Sequence, residues 1–222
     1  MDDPALDPLR HVQALRGLER INRWSRSAEI VWSPIRALGG VHPLRPVRIL
    51  DVATGAGDLP IALWRSARRA ALPLAIDGCD RSPRAVAYAR VCAERAGAAV
   101  RFFERDALTD PLPTGYDVLI SSLFLHHLDE LQGVALLRNM AHSAARLVLV
   151  SDLVRSPVGF GLAYVGTRLL SASPVVRTDG PRSVRAAWTL GEVRALAVRA
   201  GLKDAMVSRR WPCRFLLAWQ RG

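Results

Sequence analysis

The 222-residue sequence is poor in lysine, cysteine and aromatic side chains, and it has no long apolar run. Lys203 is its only lysine, which excludes a phosphate-binding Walker loop, since that loop needs a lysine after its last glycine. The three cysteines lack C-x-x-C spacing, which argues against a disulfide framework and against a zinc site. No apolar run reaches the ~18 residues of a membrane span. The acidic start, Met1-Asp2-Asp3, lacks the layout of a signal peptide. We therefore expect reduced, buried thiols and a cytoplasmic protein.

Positive charge is abundant but dispersed. The formal net charge is +11, and arginine carries nearly all of it. The arginines form no run of five or more, and the aromatic residues on which bases stack make up only 6% of the chain. This pattern favours a solvated basic surface over a nucleic-acid or anionic-membrane partner. The length and the 50% hydrophobic content indicate one domain with a full core, with or without a short appendage.

The stretch from Val47 to Pro60 carries the clearest signal. Its aliphatic start predicts a strand with an acid, Asp51, near its end. A small-residue turn follows, and apolar residues at helical spacing predict a helix over residues 59–70. This arrangement places backbone N–H groups around a ligand at the edge of a parallel sheet. Gly55 and Gly57 suit the turn, because a Cβ would clash with a ligand on the backbone or would penalise a positive φ.

The same turn limits the kind of ligand. The dinucleotide fingerprint G-x-G-x-x-G needs a small residue where this chain has Pro60. Asp51 and Asp58 would also face a pyrophosphate with like charge. Acids on both sides of a Gly-rich turn instead favour a ligand with a cationic group, such as the ammonium of an amino acid.

Residues 50–58, LDVATGAGD, resemble the first motif of the class I S-adenosylmethionine-dependent methyltransferases, with Ala53 where many members have glycine. The alanine variant followed by Gly-Asp-Leu is similar to the ubiquinone and menaquinone biosynthesis methyltransferases. The resemblance implies an α/β fold of the Rossmann-like type. Its seven-stranded sheet is mostly parallel, has helices on both faces and ends in an antiparallel strand pair. S-adenosylmethionine is the cofactor that the resemblance implies, at the carboxyl ends of the first three strands.

Two further acids follow in the order that this family requires. A strand predicted over residues 72–79 is followed by Asp80, where a carboxylate can accept both hydroxyls of a ribose; Asp77 is the competing acid. After the next strand, the resemblance implies that Asp106 accepts a hydrogen bond from the adenine amino group and that the Ala107 N–H contacts the ring. The cofactor-binding residues expected in this way are Asp51, Ala53, Thr54, Gly55, Gly57, Asp80, Arg81, Asp106, Ala107 and Ser121.

A fourth strand, predicted over residues 116–122, leads into Leu-Phe-Leu-His-His, which resembles the motif after the fourth strand in this family. A phenol of pKa ~10 is within reach of an imidazole of pKa ~6.5 acting as general base. We therefore expect His126 or His127 to be the catalytic base. The alternative is that one of them caps a helix and the other packs in the core. The Asn/Asp-Pro-Pro signature of amide and exocyclic-amine methyltransferases is absent.

A metal-assisted route is not expected. That route, as in the catechol methyltransferases, needs acids after both the fourth and the fifth strand. Asp152 follows the fifth strand, but Ser121 and Ser122 occupy the other place. His126 and Asp129 share a helix face without a visible third ligand. Ser122 and Asp152 are instead expected on the substrate side.

Three parts of the chain are distinguished. Residues 1–44 are predicted to form an N-terminal helical cap with two helices, which brings Trp24 to the substrate side; helices that only complete the core are the alternative. Residues 45–222 form the methyltransferase domain, with a lid-like insertion at about 155–188. The apolar, Gly-rich start of this insertion favours a lipophilic acceptor. Packing on its own domain or on a dimer partner is the alternative, and a homodimer stays open.

The sequence thus predicts methyl transfer to a small lipophilic or aromatic acceptor, with a hydroxyl oxygen favoured and a carbon next. Two other hypotheses remain. In one, the arginine-rich surface belongs to an RNA-modifying methyltransferase. In the other, the fold binds S-adenosylmethionine without methylating.

Overall fold

The computed structural model describes residues 27–39, 45–170 and 174–222. The helices are α1 (Ser27–Gly39), α2 (Asp58–Arg69), α3 (Pro83–Arg95), α4 (Glu130–Ser143), α5 (Pro157–Leu170), α6 (Pro174–Ala186) and α7 (Leu190–Arg199), with a 3₁₀ turn at Leu125–His127. The strands are β1 (Val47–Val52), β2 (Leu74–Asp80), β3 (Val100–Glu104), β4 (Tyr116–Ser122), β5 (Ala144–Leu153), β6 (Met206–Arg210) and β7 (Arg214–Gln220). The first predicted helix, including Trp24, lies outside the described residues.

The strands form one seven-stranded sheet in the order β3-β2-β1-β4-β5-β7-β6. Strands β1 to β5 are parallel, and β7 is antiparallel to both β5 and β6. The predicted fold class is therefore confirmed. The chain builds outwards from β1 to β3 and then returns to place β4 on the other side of β1. Such a switch point opens a crevice at the carboxyl ends of the two central strands.

Alternating side chains of the central strands fill a separate core on each face of the sheet. Leu50 and Leu119 belong to the core that α4 and α7 cover. Ile49 and Ile120 belong to the other core, together with α1 and α2. Capping boxes start α4 and α7, formed by Asp129 with Gln132 and by Thr189 with Glu192.

Helix α1 is part of this second core. Val31 and Ile35 are fully buried, and the helix packs against α2 and β5. Among the described residues, no helix is long and apolar enough to cross a bilayer. None of the three cysteines, all of them within the described residues, forms a disulfide, but only Cys79 is buried, so the expectation of buried thiols is wrong for Cys92 and Cys213.

The insertion after β5 forms two helices that pack on each other, α5 and α6. The polar segment Arg177–Arg182, for which the sequence predicts no element, lies inside α6 despite Pro181. Tight packing at Gly180 accounts for the position of this helix. A Cβ there would lie 2.4 Å from Cγ2 of Thr167 on α5, so the two helices approach closely only with glycine at this point.

The Gly57→Ala variant is expected to lower the free energy of unfolding by about 2–4 kcal/mol. Its φ of 73° penalises any side chain, and the added Cβ would lie 2.6 Å from Cζ of Phe102. Gly55→Ala is the matched control, because it has a φ of 55° but open space around the new Cβ. Its loss should be only about 1–2 kcal/mol. Urea unfolding measures both, and equal losses would contradict the packing argument.

Candidate active site

A cavity of about 640 Å³ lies at the carboxyl ends of the central strands and extends under α5 and α6. Its size suits a small-molecule ligand of drug-like or cofactor dimensions. One half, called here the cofactor half, is lined by Asp51, Ala53, Thr54, Gly55, Asp80, Arg81, Asp106 and Ala107. The other, the acceptor half, is lined among others by Ser122, His126, His127, Leu162, Val176 and Arg214. Most of the residues expected from the sequence therefore come together in this cavity.

Asp51 is a buried acid in which only one of the two carboxyl oxygens has a hydrogen-bond partner. Its Oδ2 accepts a 2.6 Å hydrogen bond from the Thr54 hydroxyl, whereas its Oδ1 is buried without a partner. Burial raises the pKa of the carboxyl to about 8, and the nearby charges of Asp58 and Asp80 act in the same direction. An unsatisfied buried carboxyl on a cavity wall is suited to a cation, and the ammonium of an amino acid fits that need.

The turn after β1 has three residues at positive φ: Ala53 at 56°, Gly55 at 55° and Gly57 at 73°. Gly55 lines the cavity, and a Cβ there would meet open space. Gly57 is not among the residues on the cavity wall; it packs against Phe102 instead. Of the two reasons given for a glycine at this position, the positive φ holds for Gly57, and packing against Phe102 is a further reason.

Asp80 links the turn after β1 to the turn after β2. Its Oδ2 accepts a 2.8 Å hydrogen bond from the Gly55 N–H, and its Oδ1 accepts a 2.9 Å hydrogen bond from the Ser82 N–H. Each carboxylate oxygen has a further lone pair, so the two hydroxyls of a ribose can still bind there. Arg81 is exposed at the cavity rim.

The loop after β3 is held by a residue that the sequence analysis missed. The Asn139 amide on α4 donates hydrogen bonds of 3.0 and 2.9 Å to the carbonyls of Ala107 and Asp110, and its oxygen accepts from the Leu112 N–H. Asp106 Oδ1 accepts a 2.9 Å hydrogen bond from the Leu108 N–H. Asn139 thus fixes the wall on which an adenine would lie. No local motif marks it, because it is one polar residue within an ordinary helix.

In the acceptor half, His126 is held by Asp152. The fully buried carboxylate accepts a 2.7 Å hydrogen bond from Nδ1 and a 3.0 Å hydrogen bond from the backbone N–H of His126. Burial alone would raise the pKa of Asp152, but the neighbouring His126 and these hydrogen bonds hold it below its ordinary value. Asp152 is not on the cavity wall. The structure therefore places it behind His126, rather than in the substrate position expected from the sequence.

The remaining predicted residues, at the end of β4 and in the 3₁₀ turn after it, differ in whether they reach the cavity wall. Ser122 lines the cavity and its Oγ accepts a 3.1 Å hydrogen bond from Arg214. Ser121 is fully buried, its Oγ has no hydrogen-bond partner, and it does not reach the wall. His127 is exposed at the rim, with its ring centroid 4.1 Å from that of His126.

Two further residues that shape the acceptor half were missed by the sequence analysis. Arg214, at the start of β7, is buried on the cavity wall. Trp188, after α6, donates a 3.0 Å hydrogen bond from Nε1 to the Leu125 carbonyl and so ties the end of α6 to the 3₁₀ turn that carries His126. Within the described ranges, no cluster of three His, Cys, Asp or Glu side chains could hold a metal ion.

Comparisons with known proteins agree with this site. A family model described as a methyltransferase domain matches residues 49–145. The demethylmenaquinone methyltransferase of Thermus thermophilus is 38% identical over 142 residues, which are 63% of this chain and 62% of that protein. The ubiquinone biosynthesis O-methyltransferase of Cereibacter sphaeroides is 28% identical over 135 residues, 59% of this chain and 51% of that protein. The chain thus spans between half and two thirds of the length of these curated relatives.

Among solved structures, human N-acetylserotonin methyltransferase in complex with S-adenosylmethionine has a TM-score of 0.67 at 20% identity, over 96% of this chain and 56% of that one. This likeness shows the fold. The chain carries a methyltransferase domain over residues 49–145 on a Rossmann-like sheet, with S-adenosylmethionine as its cofactor. Its sequence is similar to those of the menaquinone and ubiquinone biosynthesis methyltransferases named above.

The raised pKa of Asp51 predicts how stability changes with pH in the ligand-free protein. Its carboxyl titrates at 3.8 ordinarily and at about 8 in the folded state, so the folded state binds the proton more tightly. The stability that this proton contributes is present at low pH and is lost as pH rises towards 8. In urea unfolding between pH 5 and 8, Asp51→Asn should lose less stability than the natural protein. Parallel curves for the two proteins would contradict this assignment.

Binding of S-adenosylhomocysteine should release a proton at pH 7. An ammonium beside Asp51 favours its ionised form, so binding should expel up to about one proton. Calorimetric titrations in phosphate and in Tris, whose ionisation enthalpies differ, measure that number. Asp51→Asn is the matched control and should show no buffer dependence. A buffer-independent heat for the natural protein would argue against Asp51 as the site of the ammonium.

Proposed function

We propose that this protein transfers a methyl group from S-adenosylmethionine to a hydroxyl oxygen of a small lipophilic or aromatic acceptor. Methylation of a carbon beside such a hydroxyl is the next candidate, because an ionised phenol needs the same base. The names of the curated relatives, a demethylmenaquinone methyltransferase and a ubiquinone biosynthesis O-methyltransferase, support an acceptor of this class.

The hydrogen bond between His126 and Asp152 carries this proposal. A carboxylate at Nδ1 favours the tautomer in which Nδ1 holds the proton, which leaves the lone pair on Nε2. His126 lines the cavity, and because Nδ1 is bound to Asp152, Nε2 is the ring nitrogen left to take a proton from a bound acceptor. The arrangement is that of a general base with an orienting carboxylate.

The rest of the acceptor half is suited to an apolar molecule. Helices α5 and α6 contribute Leu162, Ala163, Val176 and Val184 to its wall. Val176 and Val184 are almost completely buried. Apolar walls bind a lipophilic ring and exclude water from the reacting atoms.

The residues of this chain then have separate tasks in the reaction. The cofactor supplies an electrophilic methyl group on a positively charged sulfur. During transfer to the acceptor oxygen, Nε2 of His126 would accept the proton of the acceptor hydroxyl. Asp152 stabilises the imidazolium that results. Holding acceptor and methyl in line is the main contribution of the cavity walls, and it is worth several kcal/mol.

The wider assignments rest on the same reasoning. We propose a small-molecule acceptor rather than a nucleic acid, a cytoplasmic enzyme without a metal requirement, and residues 1–44 as a cap over the acceptor half with Trp24 on its inner side. A homodimer is compatible with these assignments.

His126→Asn is expected to lower turnover roughly 10²–10⁴-fold, because it removes the proton acceptor. His127→Asn is the matched control, an exposed histidine on the same turn, and should keep turnover within about threefold of the natural protein. The assay follows S-adenosylhomocysteine release with a panel of alkylated benzenediols and naphthols. Binding of S-adenosylhomocysteine should be unchanged in both variants.

Other outcomes distinguish the remaining hypotheses. Full turnover by His126→Asn would show that it is not the base. Turnover with RNA, together with a steep salt dependence of RNA binding, would favour an RNA-modifying enzyme. Tight cofactor binding with no S-adenosylhomocysteine released from any acceptor would favour a protein that binds the cofactor without methylating.

A further inference from the structure

Trp188 closes the insertion that α5 and α6 form. It follows α6 by two residues and lies beside the end of β5, where its backbone forms a parallel bridge with Val154. Its carbonyl accepts a 3.1 Å hydrogen bond from the Arg155 N–H. The chain therefore leaves the end of β5 for the two helices and returns to the same place at Trp188. We call this pairing of residues 154–155 with Trp188 the stem of the insertion.

The side chain of Trp188 reaches from the stem to the 3₁₀ turn. Its Nε1 donates a 3.0 Å hydrogen bond to the carbonyl of Leu125, which is a fully buried residue. The same carbonyl accepts a 3.1 Å hydrogen bond from the Leu128 N–H, so both of its lone pairs are engaged. Helix α6 also packs against this turn. The turn is thus held from the side of the insertion.

The Leu125 carbonyl and the His126 N–H belong to one peptide group, which is bound at both ends. Trp188 binds it at the oxygen, and the Asp152 carboxylate binds it at the nitrogen, through the 3.0 Å hydrogen bond from the His126 N–H. Because the peptide is planar, two hydrogen bonds at opposite ends fix the orientation of its plane. The plane restricts the direction in which the His126 side chain leaves the backbone. Asp152 then holds the imidazole itself at Nδ1.

Trp188 acts on the site from outside the cavity. Neither Trp188 nor Leu125 is among the residues that line the cavity wall, so Trp188 is not placed to contact cofactor or acceptor. Helix α6, in contrast, contributes Val176, Val184 and Ala186 to the acceptor half. Trp188 therefore connects the helix that covers the acceptor with the peptide that carries the proposed base.

We propose that Trp188 is a positioning residue for methyl transfer, which aligns the His126 imidazole by holding the Leu125–His126 peptide from the side of α6. Asp152 alone holds that peptide from the side of β5, so the two hydrogen bonds together define the direction of the base. Residues that orient a reacting group in this way affect catalysis through geometry and not through contact with the substrate. This inference rests on the proposed function, because it assigns a task to the residue behind the proposed base.

Trp188→Phe tests the proposal, because it keeps an aromatic ring on the stem and removes the N–H donor. Displacing a reacting group by about 1 Å can cost 10²-fold in rate, so kcat and kcat/KM should fall together by about 10- to 100-fold. The KM for the acceptor and the Kd for S-adenosylhomocysteine should stay within about threefold of the natural values, because neither ligand touches Trp188. Turnover is measured with the same acceptor panel, below the unfolding temperature of each variant.

Arg155→Met is the matched control. The Arg155 side chain braces the same stem through its ion pair with Glu192, and both side chains are partly exposed. The variant therefore weakens the stem without removing a contact to the 3₁₀ turn, and its kcat should stay within about threefold of the natural value. Should Trp188→Phe fail to fold, Trp188→Tyr fills more of the same space and also lacks the indole N–H.

Proton NMR gives a second readout that needs no turnover. The proton between His126 Nδ1 and the Asp152 carboxylate lies in a 2.7 Å charge-assisted hydrogen bond and should give a strongly deshielded resonance. The loss of this resonance in His126→Asn assigns it. In the complex with S-adenosylhomocysteine, Trp188→Phe should shift or broaden the resonance, and Arg155→Met should leave it unchanged.

Three results would overturn the proposal: a natural kcat in folded Trp188→Phe, an equal fall of kcat in Arg155→Met, or a His126 resonance that Trp188→Phe leaves unchanged. The second of them would mean that Trp188 only stabilises the stem. Each of the three leaves the proposed function standing. A natural protein that binds S-adenosylhomocysteine but methylates no acceptor would instead contradict the proposed function itself.

Discussion

The parallel pairing of β1 with β4 is the constraint on which the site depends. It sets Asp51 opposite Ile120 and Val52 opposite Ser121, so both strands end at the same edge of the sheet. The turn after β1 then faces the chain that leaves β4 for the 3₁₀ turn and His126. One cavity consequently has a carboxylate end and an imidazole end, although about 75 residues separate Asp51 from His126 in the sequence.

The ionisable residues of this cavity differ between its two ends. Asp51, Asp58 and Asp80 stand around the first turn, where a ligand with an ammonium and a ribose can satisfy them. Arg214 lies at the other end beside Ser122. The ammonium of the cofactor would interact with the acids at the first end, and the hydroxyl of an acceptor would interact with His126 in the proposed reaction. The low dielectric of the interior strengthens each of these interactions.

The sequence predicted the parts of the site that are encoded locally. The strand, turn and helix around Gly55 and the acids after the next two strands can be recognised because their chemistry is contained in short segments. The antiparallel hairpin at the end and the capping box at Thr189 were predictable for the same reason. The sequence could not distinguish His126 from His127 as the proposed base, because the difference depends on the hydrogen bonds between His126, in the 3₁₀ turn, and Asp152 on β5.

What the sequence could not predict depends on contacts between distant segments. Asn139 acts through hydrogen bonds to the carbonyls of Ala107 and Asp110, and Trp188 through one to the carbonyl of Leu125, and no pattern in the neighbouring sequence marks either residue. Arg214 is one arginine among many until β7 pairs with β5 and brings it to the cavity wall. At Gly57 the sequence indicated the need for a glycine in the turn, but the contact with Phe102 that adds to this need could be seen only in the fold.

A crystal structure with S-adenosylhomocysteine tests the central claim most directly, because it locates both ends of the cofactor at once. The account predicts its amino group within hydrogen-bond distance of Asp51, its ribose on Asp80, and its sulfur facing the space between His126 and Arg214. An adenosine lying under α5 and α6, or a sulfur turned away from His126, would contradict it.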